Sequence, residues 1–225
     1  RSSVVYPLRV VPPSPPRALR AARQRRMGRM LAVPKYGFVV LAVPKSGSTA
    51  LEAAFTKHAQ LVTSGPPSLK HVTAHEFDDR FVPLLEQHGY ARTDYEVTAL
   101  VREPVSWLAS WWRYRSRPGI AGKRTYVGDL GFDEFVGRVV SGEIRLRPQT
   151  DYVTAPDGRL AVDRLWRYDD LDTAFEWMRR KVGKKKVKLP QRNVSPPREH
   201  EVTASTRDLI EEAYAADVAL YRSVG

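Results

Sequence analysis

The sequence predicts an α/β fold of three layers, with a central, mostly parallel sheet flanked by helices. Three observations predict it. Short apolar runs of strand length alternate along the chain with amphipathic segments of helical period. Residues 38–43 and 95–101 are rich in apolar and β-branched side chains, as strands covered on both faces of a parallel sheet are. Both runs end in polar residues that open a helix, an order in which ligands gather at the carboxyl ends of the strands.

Taken in order, residues 1–35 are expected to form a basic arm and residues 36–225 a single domain. The first 30 residues hold eight arginines and no acid, with Pro-Pro at 12–13 and 15–16, so little apolar surface is available for a core beyond a helical tendency over 17–30. Gly37 and Pro44 bound the first strand, 38–43. Ala50, Leu51, Ala54 and Phe55 then recur at helical spacing over 49–58. Gly65-Pro66-Pro67 breaks the chain before a polar stretch, and Asp78 or Asp79 is expected to cap a helix that stops at Gly89. Residues 95–101 form the second strand, and Pro104, in a first helical turn, starts a helix over 104–115. Residues 132–140 read as a short helix. Residues 160–168 are the third strand, with Asp169 or Asp170 capping a helix to Val182. After a loop at 190–197, Ser205-Thr206-Arg207-Asp208 precedes Leu209, Ile210, Ala213 and Tyr214, the pattern of a capped terminal helix.

Composition narrows the function. With 225 residues and 42% hydrophobic content, the chain suits one packed catalytic domain and not wholesale disorder. The absence of cysteine excludes disulfides and thiolate metal sites and fits a reducing compartment. No run approaches the ~18 apolar residues of a membrane span, so no transmembrane segment and a cytoplasmic location are expected. The chain opens on Arg1, which leaves a targeting or anchor segment upstream of it open. A net charge of +12 favours polyanionic partners: nucleic acid, an anionic membrane surface, acidic glycans or a multiply phosphorylated cofactor. The arginines of the arm and the cluster of Lys181, Lys184, Lys185, Lys186 and Lys188 are expected to be solvated, with no specific nucleic-acid partner. Oligomeric state is not legible.

The chemistry lies in two loops at strand ends. The first, Pro44-Lys45-Ser46-Gly47-Ser48-Thr49, is an anion cradle: glycine permits a tight turn, and a helix start offers free N–H groups and a partial positive charge. Lys45 adds a full charge, and Ser48 and Thr49 add hydroxyls. The second opens with Arg102, followed on one helix face by Ser106, Ser110 and Arg113. Two anion sites facing one crevice suit a nucleoside with phosphates at both ends. A structural ion pair of Arg102 with Glu103 or Asp94 is the plainer alternative. Trp107, Trp111 and Trp112 are expected to be core and crevice wall.

These motifs resemble the PAPS-dependent sulfotransferases: Pro-Lys-Ser-Gly-Ser-Thr before a helix, then a strand ending in Arg102-Glu103-Pro104 with Ser110 eight positions after the arginine. Leu165-Trp166-Arg167-Tyr168-Asp169-Asp170-Leu171, Leu189-Pro190, Asn193-Val194-Ser195 and a helix with Tyr214, Asp217 and Tyr221 look like the carbohydrate-modifying branch. The resemblance spans about residues 36–221 and implies a P-loop-like fold. It also implies PAPS (3′-phosphoadenosine 5′-phosphosulfate) as donor, PAP as product, no metal, and a glycan or glycoconjugate hydroxyl as acceptor. It assigns Lys45, Ser46, Gly47, Ser48 and Thr49 to the 5′-phosphosulfate, and Arg102 and Ser110 to the 3′-phosphate. The Arg-Lys-Gly-x-x-Gly signature of the phenol and steroid enzymes is missing, and 184–197 is expected to take its place, with Asn193 and Ser195 near the adenine.

Sulfuryl transfer is an in-line displacement with a loose transition state, so positioning and charge stabilisation dominate. Lys45 is assigned to the bridging oxygen of the leaving phosphate. For the base, the Lys70-His71 pair is similar to the segment holding the basic histidine in some glycan sulfotransferases. His75, Glu52 and Glu76 remain alternatives, while His58 and His88 are expected to serve helix ends. Arg113, Arg115, Arg117, Lys123 and Arg124 are candidates to line a groove for an acidic acceptor. Two other readings compete. A small-molecule kinase lacks the Gly-x-x-x-x-Gly-Lys-Ser/Thr spacing here, and a non-catalytic polyanion-binding module leaves the paired loops unexplained.

Overall fold

A computed structural model describes residues 29–183, 186–190 and 200–224. Five strands, β1 (Leu31–Val33), β2 (Phe38–Val40), β3 (Leu61–Val62), β4 (Glu96–Val101) and β5 (Arg164–Arg167), form one sheet in the order β3-β1-β2-β4-β5. β2 lies parallel to β4 and β4 to β5, whereas β1 is antiparallel to both its neighbours. Four strands therefore share one direction, and the α/β sheet is mixed and mostly parallel. The three expected strands appear in shortened form as β2, β4 and β5.

The strand β1 moves the expected boundary of the arm. Met30, Leu31, Ala32 and Val33 are fully buried, and Gly37, at φ +75°, closes the turn that returns the chain into β2. The packed domain thus reaches back to Arg29, not to residue 36. The remainder of the arm, 1–28, lies outside the described residues.

Strand alternation sorts the core into layers, because successive side chains point to opposite faces. Leu31, Val33, Phe38, Val40 and Leu100 pack against Leu51 and Phe55 of α1 (Ser48–Phe55) on one face. Ala174, Phe175 and Met178, on a second helix of that face, complete this cluster. Ala32, Val39, Val97 and Ala99 face the other way, toward Val72, Phe77 and Leu85. Phe77 and Leu85 belong to α3 (Ala74–Arg80) and α4 (Val82–Gln87), and Val72 to the turn between α3 and the short α2 (Pro67–Lys70). A third cluster, Trp107, Leu108, Trp112, Phe135, Val136 and Ile210, joins α5 (Pro104–Arg115) to α6 (Phe132–Val140) and a C-terminal helix.

The caps differ from expectation. Thr73, not Asp78 or Asp79, starts α3 through a reciprocal capping box with Glu76. The single expected helix to His88 is interrupted at Phe81, which separates α3 from α4. After α7 (Thr150–Val153) and β5, α8 (Leu171–Val182) follows Asp170, whose side chain makes no capping bond; Asp169 instead accepts from the Tyr221 hydroxyl. Thr203 caps α9 (Ala204–Ala213), and Tyr214 breaks the expected terminal helix before α10 (Ala215–Ser223). No helix among the described residues is long and apolar enough to cross a membrane.

Candidate active site

The tips of the three adjacent parallel strands supply the site. Beyond β2, Leu41-Ala42-Val43 leads into the turn at Pro44, and α1 begins at Ser48. Within the turn Lys45 adopts φ +67° and Gly47 φ +86°, both left-handed. This conformation costs a lysine roughly 1–2 kcal/mol, which neighbouring contacts must offset. Ser46 donates its hydroxyl to the Val43 carbonyl at 2.8 Å, and Ser48 reaches the same oxygen at 3.5 Å. Trp107 donates its indole N–H to the Pro44 carbonyl at 2.9 Å. With their side chains turned inward, these contacts fix the turn from below. The backbone N–H groups of residues 45–49 donate to no acceptor among the described residues. Free amides at a helix start, in a turn of this kind, make a concavity for an anion.

Arg102 follows the tip of β4. Its guanidinium reaches the same turn, with one terminal nitrogen 3.4 Å from the Lys45 carbonyl and Nε donating to Ser106 at 2.8 Å. Tyr168, the first residue after β5, stacks against it at 4.3 Å from ring centroid to Cζ. The hydroxyl that Arg102 touches is that of Ser106; Ser110, one turn further along α5, is buried and makes no bond to it. The ion-pair alternative does not form: Glu103 caps α5 through Val105 and Ser106 N–H, and Asp94 accepts from Ala91 N–H.

Lys45 Nζ sits 4.4 Å from the centroid of Tyr114, and Arg117 Cζ lies 3.9 Å from that same ring. Burial lowers the Lys45 ammonium from its usual 10.5 to about 7, and the nearby charges of Arg117, Arg102 and Arg113 push in the same direction. Arg102 is lowered too, chiefly by burial. Among the described residues none of these four cations has a carboxylate within salt-bridge distance. Holding Lys45 beside three guanidinium groups in a buried place has a cost that a bound anion relieves.

His71, at the end of α2, is buried with Nδ1 2.6 Å from the carbonyl of Ala42, on the segment that feeds the lysine turn. A carbonyl only accepts, so Nδ1 carries the proton and Nε2 holds the lone pair. Nε2 is buried without a partner among the described residues. Burial, with the Lys70 charge adding, lowers the imidazole below 6.5 despite the Ala42 bond, so it is neutral at neutral pH. The alternatives are occupied elsewhere. Glu52 pairs with Arg29, Glu76 belongs to the Thr73 capping box, and His75 is 52% exposed beside Asp79. His88 bonds the Leu84 carbonyl, as its helix-end position implies.

Thr49 lies in the first turn of α1, whereas Asn193 and Ser195 lie outside the described residues. Three contributors were not foreseen. Tyr114 and Tyr168 stack on the site cations, and Gln149 bonds the main chain of Arg102. Tyr168, the last residue of the expected third strand, carried a positional signal; Gln149, 47 positions from Arg102, carried none. Among the described residues no group of three or more histidines or carboxylates could hold a metal ion. No protein-family model matches the chain, and no curated protein matches it.

Proposed function

We propose that the chain is a sulfotransferase of P-loop-like fold that moves the sulfuryl group of PAPS to a hydroxyl of a carbohydrate or glycoconjugate. One observation carries the reading: Lys45, Arg102, Arg113 and Arg117 converge without a carboxylate partner among the described residues, beside free amides of residues 45–49. The residues fit the donor's charge, because they offer cations and N–H donors at two strand tips and one orphaned imidazole lone pair nearby. PAPS, when bound, supplies the activated sulfuryl group. Lys45 and the turn amides then hold the charge that grows on the leaving phosphate oxygen. Arg102 and Ser106 hold the other phosphate, with Ser110 one turn behind. His71 Nε2 takes the proton of the acceptor hydroxyl as its oxygen bonds to sulfur and the sulfur–phosphate oxygen bond breaks. Because Nε2 is covered in the structure, acceptor entry requires a local opening around it.

The test is thermal unfolding with PAP and transfer of labelled sulfate from PAPS to a panel of glycans and small alcohols. Saturating PAP at about 100 Kd should stabilise the fold by about 2.7 kcal/mol, and Lys45→Ala or Arg102→Ala should remove most of the shift. No shift with PAP, together with magnesium-dependent stabilisation by ATP, would replace this reading with the kinase one.

A further inference from the structure

We infer that Gln149, itself held by Asp217, is a positioning residue that aims Arg102 and so sets the preference for a nucleotide bearing a 3′-phosphate. The inference rests on the sulfotransferase reading. β4 and β5 stop pairing at Val101 and Arg167, so Arg102 is the first residue beyond the sheet ladder. The carboxamide of Gln149 takes over at that point. Arg102 N–H donates to Oε1 at 2.8 Å, and Nε2 donates to the Arg102 carbonyl at 2.7 Å. One amide thus holds both main-chain groups of a single residue, as a neighbouring strand would.

The amide is in turn fixed from α10. Asp217 accepts from Gln149 N–H at 2.8 Å, and from the N–H and hydroxyl of Thr150 at 2.9 Å each. Gln149 is 1% exposed and Asp217 2% exposed, and this carboxylate has no cation partner among the described residues. The buried chain runs from the C-terminal helix to the two main-chain groups of one residue, and that residue carries the guanidinium facing the lysine turn. A displacement of about 1 Å in such a group is enough to cost about a hundredfold in a positioned reaction.

The test compares PAP with adenosine 5′-monophosphate, which lacks the 3′-phosphate, by calorimetry on the full chain. Variants are Gln149→Met, which keeps side-chain length and removes both bonds, Arg102→Ala, and the two combined. PAP affinity should fall about tenfold or more in Gln149→Met while 5′-monophosphate affinity stays within about twofold. The double variant should bind PAP no worse than Arg102→Ala alone, because Gln149 acts through Arg102. Should Gln149→Met fail to fold, Gln149→Asn decides by the same criteria, since it keeps a polar amide and withdraws it by one methylene from both main-chain groups of Arg102. Unchanged PAP affinity, equal losses for both nucleotides, or losses that add to that of Arg102→Ala would each overturn the inference. Equal affinity of the unaltered chain for the two nucleotides would overturn the sulfotransferase reading and this inference with it.

Discussion

The indole of Trp107 and the carbonyl of Pro44 are joined by a 2.9 Å hydrogen bond that crosses from α5 to the lysine turn. Trp107 is fully buried in the cluster shared by α5, α6 and α9, so the turn is tied to a helix that begins two residues after Arg102. The two anion loops are therefore tied to each other through α5. This tie makes Trp107→Phe informative. It removes the donor, leaves a buried carbonyl unpaired, and should cost about 1–3 kcal/mol of stability, read in chemical denaturation. Weaker PAP binding should accompany the loss, because the turn loses its lower support.

Lys45 gives the site a pH dependence of defined sign. Its folded value of about 7 lies below the unfolded 10.5, so between those limits the unfolded chain binds the extra proton and stability rises with pH. Lys45→Met should flatten that rise in unfolding measured from pH 7 to 10. A bound anion favours the ammonium form, so PAP binding should take up protons and weaken as pH rises above about 7. Calorimetry in two buffers of different ionisation enthalpy counts those protons, and Lys45→Arg should abolish the uptake.

Turnover should depend on His71 in a way that binding does not. His71→Asn retains a donor for the Ala42 carbonyl and removes the free lone pair at Nε2. A fall in kcat of about 10²- to 10⁴-fold with PAP affinity nearly intact is the expected result. The acid limb of the kcat/KM profile should fall below pH 6.5, since burial favours the neutral imidazole. Loss of PAP affinity would assign this histidine to folding of the turn.

At Gly47 the backbone and the packing make the same demand. A Cβ there would stand 3.1 Å from the Tyr168 ring and 3.4 Å from Leu171, at φ +86°. Gly47→Ala should cost at least about 1 kcal/mol for the left-handed conformation, with more for displacing Tyr168 from Arg102. A fall in melting temperature together with weaker PAP binding tests both parts.

Part of this arrangement was legible in residue order. The α5 helix was readable to its ends because Pro104 starts it directly after a strand-like run rich in apolar and β-branched residues. The lysine turn was readable for a similar reason, since small residues directly follow a buried strand. Other parts left little trace. β1 and β3 span three and two residues, too few to show a period, and β1 follows a run of arginines. The cap at Thr73 competed with a pair of nearby aspartates, and only packing of Phe77 selects between them. At the site itself, helical spacing placed Ser106 and Ser110 on one face without saying which meets Arg102. Only the folded chain shows that Arg102 Nε meets Ser106.

The reversed direction of β1 has a practical consequence for anyone shortening this protein. Because β1 lies between β3 and β2, a chain beginning at Tyr36 would lose an interior member of the sheet and not a dispensable leader. Two rows of unpaired amides and carbonyls, on β2 and β3, would then face solvent as templates for neighbouring molecules. Such a truncated protein should precipitate or self-associate, whereas one beginning before Arg29 should not.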